Sequence, residues 1–176
     1  MEIYRIYKGA ERWKYKAYDY IRTDAFCVGQ GIPVELEFSH DEPEDELEAV
    51  IIIEDHKPVA GCRITYPNHT TGKIERVCVV REKQRSGYGK LLIAEAESWI
   101  KEKGIKHIVI SSQDRALGFY EKIGYVINKN TDPYVYEKAK NKKDEVHKQA
   151  LKIPDLGFSC VLVEKDLSKE EYGKAI

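Results

Sequence analysis

No apolar run in this sequence approaches the ~20 residues that a membrane-spanning helix needs, and no partnership with a bilayer is expected. The stretch MEIYRIYKGAERWKYK lacks the apolar centre of a signal peptide. Charge of one sign is not in excess either. Lys and Arg number 29, Asp and Glu 30, and the formal net charge is -1. Such a chain as a whole carries no electrostatic footprint for nucleic acid. Cysteine is scarce: Cys27, Cys62, Cys78 and Cys160 form no C-x-x-C pair and no other metal-ligand spacing. No metal is expected, and the thiols read as reduced core residues of a cytoplasmic protein. There is also no internal repeat, low-complexity tract or linker, hence no second domain.

What is present suits a globular domain. Residues 1–176 are 42% hydrophobic and 34% charged, and that length supports one core. Alternation over Glu2 to Tyr7 predicts a first strand. Ala10, Trp13, Ala17, Tyr20 and Ile21 recur at helical spacing, which predicts an amphipathic helix over 10–27, ended by GQGIP. Residues 35–48 hold eight carboxylates and no Lys or Arg, and read as an exposed loop or a frayed helical turn. Strands follow at 49–55, 58–66 and 73–80. Their short connections argue for an antiparallel meander. A helix over about 87–103 presents Leu92, Ala96, Trp99 and Ile100 on one face and stops at Gly104. The strand HIVIS (107–111) completes a right-handed βαβ unit. Asp114 is placed to cap a short helix with Gly124 just past its end, then come strands near 125–128 and over 158–167. The Lys-rich stretch 133–152 reads as a helical insertion or a mobile loop.

The informative junction is VCVVREKQRSGYGKLLIAEAESWI, Val77 to Ile100, where a β-branched run enters a helix through Gly87 and Gly89. Glycines at a helix start uncover backbone N–H groups and tolerate unusual φ. The first N–H groups of a helix lack internal partners, and with the helix dipole they make an anion site. Two common phosphate loops do not fit. A Walker loop would need glycine at Gln84 and Ser or Thr at Leu91. A Rossmann loop would need glycine at Leu92, and an antiparallel meander is the wrong context for it.

The pattern that fits is Gln/Arg-x-x-Gly-x-Gly/Ala. It resembles the loop of the GNAT superfamily of N-acetyltransferases, which holds the pyrophosphate of acetyl-coenzyme A. A second segment, QDRALGFYEKIGY (113–125), is similar to the family's Asn-x-x-Ala-x-x-Phe-Tyr-x-x-x-Gly-Phe, with Gln113 for Asn and Tyr125 for Phe. FCVGQGIPVELEF, GKIERVCV and SSQDRALGFYEKIGY resemble more narrowly the bacterial ElaA/YjcF-like branch. Two departures stand out. The His that this branch often has near the last strand is replaced by Gly157-Phe158-Ser159-Cys160, and the 133–152 insertion has no obvious counterpart there.

The resemblance implies an α/β (α+β) fold: a mixed, mainly antiparallel central sheet with helices on both faces. It implies acetyl transfer from acetyl-coenzyme A, without a metal, to an amine of a small molecule or an exposed protein amine, by direct attack in a ternary complex. Val77, Cys78 and Val79 would lie along the pantetheine arm, with an N–H near Cys78 or Val79 facing the thioester carbonyl. Gln84, Arg85, Ser86, Gly87, Tyr88, Gly89 and Lys90 would hold the pyrophosphate, with Arg81 and Lys83 adding charge. Gln113, Ala116 and Phe119, from the second motif, would also bind the cofactor. Tyr120 would be the general acid for the leaving thiolate. Glu75 is the candidate base, though it could equally pair with Arg76 or a lysine, and Glu35 and Glu37 are rivals. An acyl-enzyme through Cys78 is the less favoured route. The histidines at 40, 56, 69, 107 and 147 read as surface residues outside any nucleophilic triad.

A non-catalytic acyl-coenzyme A binding or sensing module is the alternative, since a fold does not fix a function. A lysine contact to nucleic acid in 133–152 is disfavoured by the interrupting acids and the missing aromatic platform. The acidic stretch 35–48 leads to the expectation of a cationic acceptor. Relatives in the family are often homodimers.

Overall fold

A computed structural model of the chain describes residues 1–39, 41, 43–136 and 160–169. The strands are β1 (Glu2–Ile6), β2 (Glu48–Glu54), β3 (Lys57–Asn68), β4 (Thr71–Val79), β5 (His107–Gln113), β6 (Val126–Asn128) and β7 (Cys160–Asp166). The helices are α1 (Arg12–Arg22), α2 (Val34–Phe38), α3 (Tyr88–Glu102) and α4 (Leu117–Lys122). Hydrogen-bonded neighbours run in the order β1-β2-β3-β4-β5-β7-β6. The β1–β2, β2–β3, β5–β7 and β6–β7 pairs are antiparallel, and β4–β5 is parallel. This is the mixed, mainly antiparallel α/β fold expected. Contacts group the chain into two compact units, Met1–Thr65 with Ile74–Ser98, and Tyr66–Lys73 with Trp99–Ile176.

In the first unit, β2 reads as an unbroken apolar run because it is covered on both faces, with Ala49, Val50, Ile51 and Ile52 fully buried. α1 lays Tyr15, Tyr18 and Ile21 inward at helical spacing. Fully burying an aliphatic side chain of this size stabilises by about 1.5–3 kcal/mol. The predicted helix over 10–27 divides. Regular α-helix ends at Arg22, and Thr23–Val28 is wound as a π-helix, a wider turn often found near functional sites.

In the second unit, β4 begins parallel to β5 through Thr71, Gly72 and Lys73. β7 then lies against β5 over its whole length, from His107↔Asp166 to Gln113↔Cys160. Ile108, Val109, Leu162 and Val163 form the centre of that pair, all fully buried.

Three expectations change. The segment 35–48 is not simply an exposed acidic loop, because Glu37 and Leu47 are buried. Of the cysteines, Cys62 and Cys78 are core residues, whereas Cys27 and Cys160 are half-buried. His107 is not a plain surface residue. Its Nδ1 lies 3.0 Å from Thr71 Oγ1 and its Nε2 3.0 Å from Glu164 Oε1. Thr71 is buried, so this row ties β4, β5 and β7 together and presents no nucleophile. Most of the 133–152 insertion lies outside the described residues. Its first part, Pro133–Tyr136, forms a 3-10 turn.

Candidate active site

The glycine loop combines two left-handed residues with a helix start. Arg85 has φ +62 and Gly87 φ +87, and α3 begins at Tyr88. Left-handed residues interleaved with right-handed ones are the conformation from which backbone anion cradles are built. The space where a Cβ of Gly87 would project is open, with nothing within 4 Å. The N–H groups of Tyr88, Gly89 and Lys90 open a helix of 15 residues and have no carbonyl one turn back to bond. Arg85, Ser86 and Lys90 are exposed. The loop is therefore open and rich in donors.

Its geometry is anchored at both ends. Tyr88 is buried and its hydroxyl donates to Glu54 on β2. At the other end, Arg81 donates to Asp24 from its backbone N (2.8 Å), its Nε (3.2 Å) and its Nη2 (3.1 Å). Arg81 is thus committed to the π-helical turn and does not stand ready for a phosphate. Gln84 turns back, its Nε2 donating to the Val79 carbonyl at 3.3 Å. Asp24 was not found from the sequence, and no local signal marks it, since its partner is 57 residues away.

On β4, Cys78 points into the core while Val77 and Val79 are half-buried. Burial pushes the Cys78 thiol well above its usual range, and its Sγ faces the Gly61 carbonyl at 3.6 Å. A thiol held protonated is a poor nucleophile, which weighs against an acyl-enzyme through Cys78.

Glu75 heads a row of alternating charges. Its Oε2 accepts from Arg63 Nη2 at 2.6 Å and its Oε1 from Thr65 Oγ1 at 2.6 Å. Arg63 reaches Asp41 at 3.3 Å. Asp41 also accepts two bonds of 2.8 Å from Arg22, whose Nε donates to Glu37 at 2.9 Å. Glu37 Oε1 in turn lies 3.2 Å from Arg76 Nε. The sequence placed Glu37 and Asp41 among free acids. In the fold both are neutralised by arginines, Arg22 lying fully buried between the rings of Tyr18 and Phe38. Glu35 is exposed.

The second motif lies in the other unit. Tyr120 is buried, edge-on to Phe119 at 5.0 Å and to Tyr125 at 5.8 Å. Its place on α4 is set by the helix end. Gly124 has φ +96, its N–H bonds the Glu121 carbonyl at 3.1 Å, and the Tyr125 N–H bonds the Tyr120 carbonyl at 3.0 Å. This is a Schellman cap with its hydrophobic contact. The motif's Tyr-x-x-x-Gly-Tyr spacing is therefore a structural lock on Tyr120. Asp114 opens a 3-10 turn (Asp114–Ala116) and accepts from the Arg115 N–H, while Gln113 Oε1 takes Arg115 Nε at 2.7 Å. Ala116 and Phe119 are half-buried. Among the described residues, no group of three or more His, Cys, Asp or Glu could hold a metal ion.

The family model described as "Acetyltransferase (GNAT) family" matches residues 2–125. A Bacillus subtilis protein named as an acetyltransferase is 34% identical over 106 residues, 60% of this chain and 71% of the relative. The N-acetyltransferase YjcF of the same organism is 31% identical over 106 residues, 60% of this chain and 74% of its own length. Among solved structures, one from Lactobacillus plantarum named as an N-acetyltransferase superposes with a TM-score of 0.72 at 22% identity, covering 95% of this chain and 99% of that one. Escherichia coli ElaA gives 0.68 at 15% identity, covering 94% and 99%. The catalytic domain of Tetrahymena GCN5 histone acetyltransferase, solved with coenzyme A, gives 0.62 at 15%, covering 94% and 92%.

Proposed function

The chain belongs to the GNAT family of acetyltransferases and is related to YjcF, and from that premise we propose how its residues carry acetyl transfer from acetyl-coenzyme A to an amine. The observation that carries the reading is the loop 84–90: two left-handed residues, open space over Gly87 and the start of α3 directly after it. Its amides, with Arg85 and Lys90, would take the pyrophosphate. Val77 to Val79 would run beside the pantetheine arm, with an N–H of that segment bonding the thioester oxygen as it gains charge.

The neutral amine attacks the thioester carbon. The C–N bond forms, the C–S bond breaks, and the thiolate leaves on coenzyme A. Tyr120 would give the thiolate its proton and recover one from solvent. The amine's proton would pass to water held by Glu75, whose oxygens are already fixed by Arg63 and Thr65. Those bonds orient Glu75 and make a water relay a better role than direct contact. The buried, protonated Cys78 favours direct attack in a ternary complex.

One acetyltransferase domain over residues 1–176, a cytoplasmic location and a homodimeric state belong to the same proposal. Among the described residues, no helix is long and apolar enough to cross a membrane. The test is coenzyme A release from acetyl-coenzyme A against amines, amino acids, polyamines, aminoglycosides and peptides. Saturable, amine-dependent release is expected. Tight cofactor binding with no turnover on any amine would instead favour the sensing module.

A further inference from the structure

The charged row ends on two adjacent residues of one strand, Glu75 and Arg76. Neighbours in a strand point to opposite faces. Here both reach the same row, Glu75 through Arg63 and Arg76 through Glu37. The reason is the backbone of Arg76, which has φ +53. A left-handed residue inside a strand breaks the alternation as a bulge does. Glycine would make that turn at no steric cost, whereas another residue is strained by roughly 1–3 kcal/mol. An arginine at such a strained position points to a use for its side chain.

The terminal nitrogens of the other two guanidiniums of the row are committed. Arg22 holds Glu37 and Asp41, and Arg63 holds Asp41 and Glu75. Among the described residues, Arg76 is held by Glu37 alone, whose same oxygen already serves Arg22. Its Nε is buried without an aligned acceptor, and its side chain is 25% exposed. Among the described residues, its terminal nitrogens meet no acceptor. It stands immediately before Val77, where the segment assigned to the thioester arm begins. A guanidinium fork with open terminal nitrogens matches a carboxylate.

We infer that Arg76 binds a carboxylate on the acceptor, so that the acceptors of this protein are amines that also carry a carboxylate, as α-amino acids do. The inference rests on the acetyl-transfer reading above. It competes with the expectation of a cationic acceptor, two of whose acids, Glu37 and Asp41, are paired with arginines. Glu75 at the other end of the row serves the amine, and Arg76 the carboxylate.

The test compares each of several amino acids with its own carboxamide as acceptor. Wild type should show a KM for the acid roughly ten- to hundredfold below that for the amide, the range set by a hydrogen bond between charged groups. Arg76→Asn, a side chain that tolerates left-handed φ, should bring the two KM values together, and Arg76→Lys should restore part of the gap. Arg76→Gly fits the backbone and should melt no lower than wild type, whereas a purely structural arginine would lower the melting temperature when removed. Coenzyme A binding, measured by calorimetry without acceptor, should be the same in all four proteins. Equal or better use of amides or polyamines by wild type overturns the inference, as does a parallel rise of both KM values in Arg76→Asn. So does failure to acetylate any carboxylate-bearing amine. Loss of coenzyme A binding by wild type would overturn the acetyl-transfer reading itself.

Discussion

Replacing the Tyr120 hydroxyl by hydrogen is the narrowest question that can be put to this site. Tyr120 is buried against Phe119 and Tyr125, so Tyr120→Phe keeps the ring packing and removes only the proton donor. It should leave the affinity for acetyl-coenzyme A alone and lower kcat by about 10²–10⁴-fold. An unchanged kcat between pH 6 and 9 would take Tyr120 out of the mechanism. Gly87 is the matching question for the cofactor. At φ +87 a β-branched side chain is strained, by about 1–2 kcal/mol, and it would project into the open space above the loop. Gly87→Val should weaken coenzyme A binding at least tenfold in calorimetry, by blocking close approach to the N–H groups. Gly104→Val is the control. It has a similar φ of +79 and equally open surroundings, so it carries the strain without the site, and its coenzyme A affinity should match wild type.

At the scale of an element, the end of α4 couples stability to chemistry. Gly124 closes the Schellman cap that fixes Tyr120 through its own carbonyl. Gly124→Ala places a Cβ at φ +96, 3.3 Å from Lys165 Cε. The expected cost is about 1–2 kcal/mol in a urea titration. A lower kcat should accompany it, because the turn that orients Tyr120 loosens, while coenzyme A affinity stays constant. Stability loss with no change in kcat would show that the cap does not position Tyr120. This cap was legible in the sequence, since its parts lie within six residues and depend on local backbone alone. The Asp24–Arg81 clamp was not legible. Arg81 looked like one more cation beside a phosphate loop, and only the π-helical turn brings Asp24 to it.

The whole molecule carries its buried ionisable groups as an alkaline liability. Burial pushes the Cys62 thiol up to about 12 and raises Cys78 and Tyr18 as well. In the unfolded chain these thiols ionise near 8.5 and the phenol near 10. Above those values the unfolded state gives up protons that the folded state keeps. The unfolded state then binds fewer protons, and stability falls as pH rises. The loss begins near pH 8.5 and continues to about pH 12 for Cys62, at up to about 1.4 kcal/mol per pH unit for each group. Urea midpoints should therefore drop between pH 8 and pH 10.5, and Cys62→Ala should flatten that slope even though it lowers stability at pH 7. A slope untouched by the substitution would mean that the thiol is not the titrating group.

By itself the sequence determined the strands, the helix after the glycine loop, that loop and the Tyr120 motif, because each is written in neighbours: alternation, a helical stripe, a glycine past a helix end. It also determined the family, through two motifs with fixed spacing. Only the tertiary structure decided what the charges do. Eight carboxylates over residues 35–48 read as a solvated acidic face, yet Glu37 and Asp41 were destined for Arg22, Arg63 and Arg76. Those pairings join α1, the α2 segment, β3 and β4, and no local pattern encodes a contact that forms only when distant segments pack. The left-handed turn at Arg76 is the sharpest case. The sequence showed an arginine in a strand. The fold shows one twisted out of alternation, so that it shares a face with Glu75.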